Sequence, residues 1–388
     1  MSTNCPDRPD SARFIAGCMT GTSLDGLDVA LAEVRGRGVD LEAKLLGTIG
    51  RPLDDVRGPL LDLARGAAAP PINYLRAGRR LGELHADAIA ALCARDLAHG
   101  ATLDFVTAHG QTIWHAPDER LSWQLLDPWP IVRRLGVPVC HDLRQADLIA
   151  GGQGAPITPV ADAILYRDAG TATIVNLGGI CNVTELDPAA PRGVRGGRDI
   201  GPCNLLIDGV VQRLFPAQQY DENGRIGRSG RPDDAVRGWL VAHPYFAEGA
   251  DRSTGREDFD DAWLNGVVAR ASTTMAPADV VASAVDATAW LIADRCAKRA
   301  PETQPNRLIL AGGGALNPLL VERLAHHCNP VEVVTSDAMG VPAHAREALG
   351  IAVLGALCAD GVAITLPVVT GADHPGRSGA WAYPGRED

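Results

Sequence analysis

Twice in this chain an apolar run enters a turn of glycines and small polar residues and leaves as another apolar run. The first instance is FIAGCMTGTSLDGLDVALAEV, residues 14–34, and the second is TATIVNLGGICNVTELD, residues 171–187. A plain turn needs one or two residues of turn type. The first of these spends Gly17, Thr20, Gly21, Thr22, Ser23, Asp25, Gly26 and Asp28 on it. Small residues let backbone N–H groups approach a ligand closely, and such turns form anion-binding concavities. A third turn, AGGGALN at 311–317, follows the apolar run RLIL. Three such turns in one chain point to a large polyphosphate ligand, although each alone reads equally well as a tight turn.

The periodicity around these turns sets the organisation. Residues 14–20 and 27–34 alternate as a β-hairpin, and 39–53 supply a third strand with its exit. Helical spacing runs through 54–66 and 73–99, where Leu81, Leu84, Ala88, Ala91 and Leu92 recur at helical steps. A buried strand at 103–110 ends in a polar turn, and a short helix and strand follow within 130–143. The second half repeats the opening: hairpin 171–187, helices 203–215 and 277–299, strand, triple-glycine turn and helix over 307–327, strand 331–335, and a closing helix 344–360. Each half thus opens on a hairpin with a glycine-rich turn, the signature of an internal duplication with a ligand in the cleft between halves. The break AGGQGAP at 150–156 suggests two domains, 1–155 and 156–388.

Composition narrows the chemistry. With 388 residues and 46% hydrophobic content the chain can bury two ordinary cores. A net charge of −11 argues against a nucleic-acid backbone as partner. Lysine occurs only at 44 and 298, so a GxxxxGK[ST] phosphate loop is excluded, and no GxGxxG follows the first strand. Nine scattered cysteines with no CxxC pair fit free thiols in a reducing compartment. No N-terminal apolar segment reads as a secretion signal and no window reaches the roughly 18 apolar residues of a membrane span, so a cytoplasmic, membrane-free protein is expected.

In order along the chain, TGTSLDGLD (20–28), HGQTIWHAP (109–117), HDLRQADLIAGGQGAP (141–156), VNLGGICNVTEL (175–186), GRDIGPCNLLID (197–208), STGREDF (253–259) and AGGGALNPLL (311–320) resemble the anhydro-N-acetylmuramic acid kinase family. That family lies within the sugar kinase, hsp70 and actin superfamily. The resemblance implies an α/β fold of two duplicated actin-like, ribonuclease H-like domains flanking an ATP cleft. It implies ATP with Mg²⁺, a bicyclic anhydro amino sugar as substrate, and a homodimer. The family's G-x-D-T-G-P-G-N stands here with Ile200 for the Thr and Cys203 for the third Gly, and its E-A-M-A-F as EALGI at 347–351. These departures are expected to touch the substrate side.

The resemblance gives Asp199 as catalytic base. The residue also sits in a Gly/Pro-rich stretch before a helix, where an aspartate serves equally as a turn or N-cap residue. ATP is expected at Gly21, Thr22, Ser23, Leu24, Asp25, Gly26, Leu27 and Asp28, at Asn176, Gly178 and Gly179, and at Gly312, Gly313, Gly314 and Asn317. Asp25 or Asp28 could hold Mg²⁺ through water, because Mg²⁺ takes few carboxylates directly. His109, Gln111, Arg144, Asp147 and Glu347 are candidates for the sugar. An arginine can grip the lactyl carboxylate with two parallel bonds, and a structural Arg144–Asp147 ion pair is the alternative. The spacing His109-x5-His115 fits no common metal site.

Overall fold

The computed structural model describes residues 12–21, 24, 26–247, 254, 258–297 and 305–385. These fall into two compact units, one of residues 1–167 with 345–388 and the other of residues 168–344. The boundary expected at 155/156 therefore moves to 167/168, and the C-terminal segment belongs to the first unit.

Unit 1 opens with strands β1 (Arg13–Thr20), β2 (Leu27–Arg35) and β3 (Glu42–Arg51), followed by helices α1 (Arg57–Ala64) and α2 (Pro71–Asp96). Strand β4 (Phe105–Ala108) leads to a separate hairpin, β5 (Gln111–Ala116) and β6 (Leu121–Leu125). Helix α3 (Trp129–Leu135), strand β7 (Val139–His141), helices α4 (Gln145–Ile149) and α5 (Pro159–Leu165) complete this stretch.

Unit 2 contains β8 (Ala172–Leu177), β9 (Ile180–Leu186), β10 (Val194–Pro202) and α6 (Asn204–Leu214). Five helices follow: α7 (Arg225–Ser229), α8 (Asp234–Val241), α9 (Pro244–Ala247), α10 (Asp261–Ala271) and α11 (Pro277–Ala297). The unit ends with β11 (Arg307–Ala311), α12 (Pro318–Cys328) and β12 (Glu332–Thr335). The chain then returns to unit 1 with α13 (Arg346–Ala359), α14 (Pro367–Thr370) and β13 (Ala380–Ala382).

The two sheets share a five-strand topology, to which β13 adds antiparallel to β7 at the edge of unit 1. Unit 1 runs β13-β7-β4-β1-β2-β3 and unit 2 runs β10-β9-β8-β11-β12. In each, the first three strands form an antiparallel meander, and two further strands add in parallel on the other side of the first. Parallel neighbours need a long crossover, which the intervening helices supply. This order, repeated once per unit, is the duplicated ribonuclease H-like fold expected from the sequence. The central strand β8 is buried along its whole length, Thr173 and Asn176 included.

The domain division read from the sequence puts the closing helix in the second half. Instead α13 lies on β1, and the approach is so close that a Cβ on Gly17 would fall 2.1 Å from the Ala348 carbonyl oxygen. A Cβ on Gly355 would likewise fall 1.7 Å from Thr107 Oγ1. Helix α13 is buried around nearly its whole circumference, as an apolar Ala- and Leu-rich helix must be. Its first turn carries Arg346, which forks onto Asp162 of α5 with Nε–H donating to Oδ1 at 2.9 Å and Nη2 to Oδ2. Both residues are buried. Asp162→Ala would leave a buried guanidinium without its counter-charge and should lower the unfolding free energy by about 3–5 kcal/mol. Urea denaturation measures this, and a double Asp162→Leu, Arg346→Met variant should recover most of the loss.

A second buried group in unit 1 makes stability depend on pH. His85 of α2 is fully buried, with Nδ1 against the Leu81 carbonyl at 2.8 Å. Burial pushes its pKa down from 6.5 to about 4, with the Leu81 hydrogen bond opposing. Between those values the unfolded chain binds a proton that the folded chain refuses, so stability falls as pH falls. From pH 7 to pH 5 the native protein should lose about 2 kcal/mol that a His85→Leu variant keeps, measurable by denaturation at the two pH values.

Candidate active site

The unit 2 site is built on the β8–β9 turn. The Gly178 carbonyl accepts from Asn204 N at 3.0 Å, and the Gly179 carbonyl from Cys203 N at 2.9 Å and Leu205 N at 3.0 Å. Asn204 Nδ2 donates back to the Leu177 carbonyl at 3.0 Å. The start of α6 is thus satisfied by the turn itself. Because C=O and N–H point oppositely across a trans peptide, the Gly179 N–H is directed away from α6. A Cβ on Gly179 would meet nothing within 4 Å, so the bare backbone faces open space.

The triple-glycine turn packs beside it. Gly312, at φ +81°, has no room for a side chain, since a Cβ would fall 2.7 Å from Asn176 Oδ1. A Cβ on Gly314 would meet Leu177 Cβ at 2.7 Å, whereas one on Gly313 would find only Asn204 Nδ2, at 3.8 Å. Asn176, Gly178, Gly179 and Gly312–Gly314 are therefore brought together, with Asn204 joining the two turns. Asn204 lies in GRDIGPCNLLID, yet the sequence assigns it no role, because its contact with residue 177 is not local. Asn317 serves the fold. Its Oδ1 caps α12, accepting from Leu319 N at 3.1 Å and Leu320 N at 3.3 Å.

Asp199 stands on strand β10, where the sequence suggested a loop. It pairs with Asn182, and a β-bulge lies between Asp199 and Gly201. Bulges re-aim side chains at strand ends beside functional sites. Gly201 sits at φ +145°, and a Cβ there would fall 3.0 Å from Phe246 Cζ. Asp199 Oδ2 accepts from Thr254 N at 2.9 Å, and Thr254 Oγ1 donates to Asp258 Oδ2 at 2.7 Å. Thr254 and Asp258 are further residues to which sequence reasoning gives no role; both belong to STGREDF.

The departures at 200 and 203 do not face the substrate side as expected. Ile200 is 1% exposed and Cys203 0%, and both belong to the apolar core of unit 2. Burial pushes the Cys203 thiol up, with the Asp208 charge adding, so it is a packed thiol and not a nucleophile. Cys203 stands at φ −123° and ψ −99°, with its side chain in the core. Cys203→Gly should therefore cost about 1 kcal/mol of stability and leave the sugar KM within about twofold of the parent protein, read by denaturation and steady-state kinetics.

In unit 1 the β1–β2 turn is partly described. Thr22, Ser23 and Asp25 lie outside the described residues. Leu24 N donates to the Gly21 carbonyl at 3.1 Å, and the Leu24 carbonyl accepts from Arg57 Nε at 2.9 Å. Leu24 holds φ +57°, a left-handed conformation costing roughly 1–2 kcal/mol, and its side chain is anchored in the core. Leu27 is also a core residue, so Leu24 and Leu27 have only backbone to offer a nucleotide. A Cβ on Gly26 would press on the Arg51 carbonyl oxygen at 3.1 Å. Asp28 is exposed near the start of β2, opposite Met19 and Gly50.

The sugar candidates of unit 1 divide. Arg144 Nε–H donates to His109 Nε2 at 2.8 Å, and Arg144 Nη1 to the Gly154 carbonyl at 2.6 Å. Burial pushes the Arg144 pKa down to about 10, and the Glu347 and Asp147 charges oppose that, so the guanidinium stays charged at neutral pH. His109 is buried, and burial together with the Arg144 charge pushes its pKa down to about 3. Gln111 is 1% exposed, and its Oε1 is buried with no partner among the described residues. Glu347, in the first turn of α13, is half-buried and close enough to Arg144 to interact.

Asp147 does not belong to this group as a ligand. It is 0% exposed, its Oδ2 accepts from Gly154 N at 2.8 Å, and its Oδ1 accepts from Thr370 Oγ1 at 2.8 Å. A Cβ on Gly152 would fall 2.2 Å from Asp147 Oδ2, so the glycine-rich break is a loop folded around this carboxylate. Both of its oxygens are thus engaged within unit 1, and no ion pair between Asp147 and Arg144 occurs among the described residues.

A duplicated ribonuclease H-like fold with glycine turns at the end of the first strand of each sheet defines the actin-like ATPase class. The family model for anhydro-N-acetylmuramic acid kinase matches residues 12–384. Proteins of that name from Salinibacter ruber and Streptomyces coelicolor are each 36% identical to this chain. The alignment with the first covers 97% of both chains, and that with the second covers 96% of this chain and 94% of the relative. The chain belongs to the anhydro-N-acetylmuramic acid kinase family.

Proposed function

We propose that the protein is an ATP-dependent kinase that opens 1,6-anhydro-N-acetylmuramic acid with water and phosphorylates O6. The products are N-acetylmuramic acid 6-phosphate and ADP, in the recycling of cell-wall peptidoglycan. The observation that carries the reading is Asp199, on a strand whose register with β9 shifts between residues 199 and 201 on its way to the end that carries the Gly178–Gly179 turn, in a chain matched by the family model over residues 12–384.

Asp199 takes a proton from water, and the resulting hydroxide forms a bond to C1. The C1–O6 bond breaks, and O6 takes the electron pair. O6 then attacks the γ-phosphorus of ATP in line, and ADP leaves. One base serves both steps because opening the ring creates the nucleophile. The Thr254 N–H fixes one Asp199 oxygen during the proton transfer. The bare N–H groups of the turns at Gly178–Gly179 and Gly312–Gly314, with the Gly21–Asp28 segment, hold the nucleotide. Arg144 grips the lactyl carboxylate, with Gln111 and Glu347 meeting polar groups of the sugar. Mg²⁺ would offset phosphate charge. Asp28, exposed near the start of β2, is a carboxylate that would reach the ion through water. No helix among the described residues is long and apolar enough to cross a membrane. We place the protein in the cytoplasm as a homodimer, following the family.

Asp199→Asn should keep nucleotide binding and lose about 10²–10⁴-fold in turnover. In ¹⁸O-labelled water, product quenched early should carry label on the C1 hydroxyl and none in the phosphoryl group. Phosphoryl label would mean water attacks phosphorus. Faster turnover of the reducing sugar, or activity of the Asn variant within tenfold of the parent, would sink the assignment.

A further inference from the structure

The sequence suggests His109 as a direct sugar contact, but both its ring nitrogens are spent inside unit 1. Nδ1 lies 2.9 Å from the Gly110 carbonyl, which can only accept. Nε2 lies 2.8 Å from Arg144 Nε, which can only donate. The two contacts fix the same tautomer independently: the proton is on Nδ1, and Nε2 offers a lone pair. The carbonyl that anchors the ring is itself held, because Gly110 turns at φ +76° against the backbone of β6, where a Cβ would fall 3.1 Å from the Leu125 carbonyl oxygen.

The consequence falls on Arg144. Its guanidinium is pinned at two points, Nε to His109 and Nη1 to the Gly154 carbonyl. Both acceptors are neutral. Two carboxylates bear on it through their charge, Glu347 more than Asp147; Asp147 spends its oxygens on Gly154 N and Thr370 Oγ1. Because its two hydrogen-bond acceptors are neutral, neither adds negative charge to what Glu347 and Asp147 already supply, and Nη2 is left for an incoming anion. The low pKa of His109 accords with this, since an imidazolium could neither accept from Arg144 nor sit beside it.

We infer that His109 is a positioning residue that orients Arg144 and preserves its charge, and so sets the preference of this kinase for a sugar bearing a carboxylate. The inference rests on the proposed reaction, in which Arg144 meets the lactyl carboxylate. The test compares kcat/KM for 1,6-anhydro-N-acetylmuramic acid with that for 1,6-anhydro-N-acetylglucosamine, the same bicycle without the lactyl arm. His109→Glu substitutes a charged acceptor that neutralises Arg144, and His109→Leu removes the acceptor. Each should reduce the preference for the lactyl sugar by about tenfold or more, mainly through its KM, with the KM for ATP as internal control. His109→Gln, a neutral acceptor at the Nε2 position, should keep the preference within about threefold of the parent. If His109→Leu fails to fold, the Glu and Gln pair decides. An unchanged preference in His109→Glu overturns the inference, as does an equal loss in Gln and Glu accompanied by a rise in the KM for ATP. A parent protein that turns over neither sugar overturns the proposed reaction itself, and this inference with it.

Discussion

Unit 1 depends on a helix backbone touching a strand backbone. Gly17 of β1 has no side chain, so α13 can settle where any Cβ would collide with the Ala348 carbonyl oxygen and the Ala352 amide. Gly355 repeats the arrangement one helical stretch later against Thr107 of β4. The contact buries an almost wholly apolar helix, and the Arg346–Asp162 fork fixes its first turn. A helix this close to a sheet has little freedom to slide, because protein interiors are packed as densely as crystals. The next residue along, Glu347, thereby reaches the neighbourhood of Arg144. The packing of a remote C-terminal segment thus decides where Glu347 stands relative to Arg144.

Unit 2 solves a related problem with polar groups. A hairpin turn of two glycines would leave carbonyls and amides exposed on both sides. The start of α6 takes up the carbonyls through Cys203, Asn204 and Leu205, so the amide side alone is left for an anion. The same α6 follows directly from the strand that carries Asp199, so Asp199 and the β8–β9 turn share a support. Replacement of a family glycine by Cys203 is compatible with this, since the residue turns its thiol into the core while its amide keeps the bond to Gly179.

Much of this was legible in the sequence, and the reason is local. Strand β1, its turn and β2 show apolar runs broken by turn chemistry within one short window, as do β8 and β9. The triple glycine before α12 was legible as a turn, because such a run marks backbone with special freedom. The hairpin β5–β6 was missed because Trp114 and Trp123 are exposed and break the apolar pattern. Strand β10 was missed because its glycines and proline read as a loop, whereas pairing with β9 makes it a strand.

By itself, then, the sequence determined the duplicated strand–turn–strand plan, the absence of a lysine phosphate loop, and the segments from which a site would be drawn. Side-chain period and glycine content act over a few residues and need no partner. The tertiary structure alone decided which unit receives α13, that Asp147 and Asn317 serve the fold, and that His109 meets Arg144. Those outcomes depend on hydrogen bonds and close contacts between residues tens to hundreds of positions apart, such as Thr370 with Asp147 and Arg346 with Asp162. A donor finds its acceptor only once the backbone has brought both to one place, and no local pattern records that meeting.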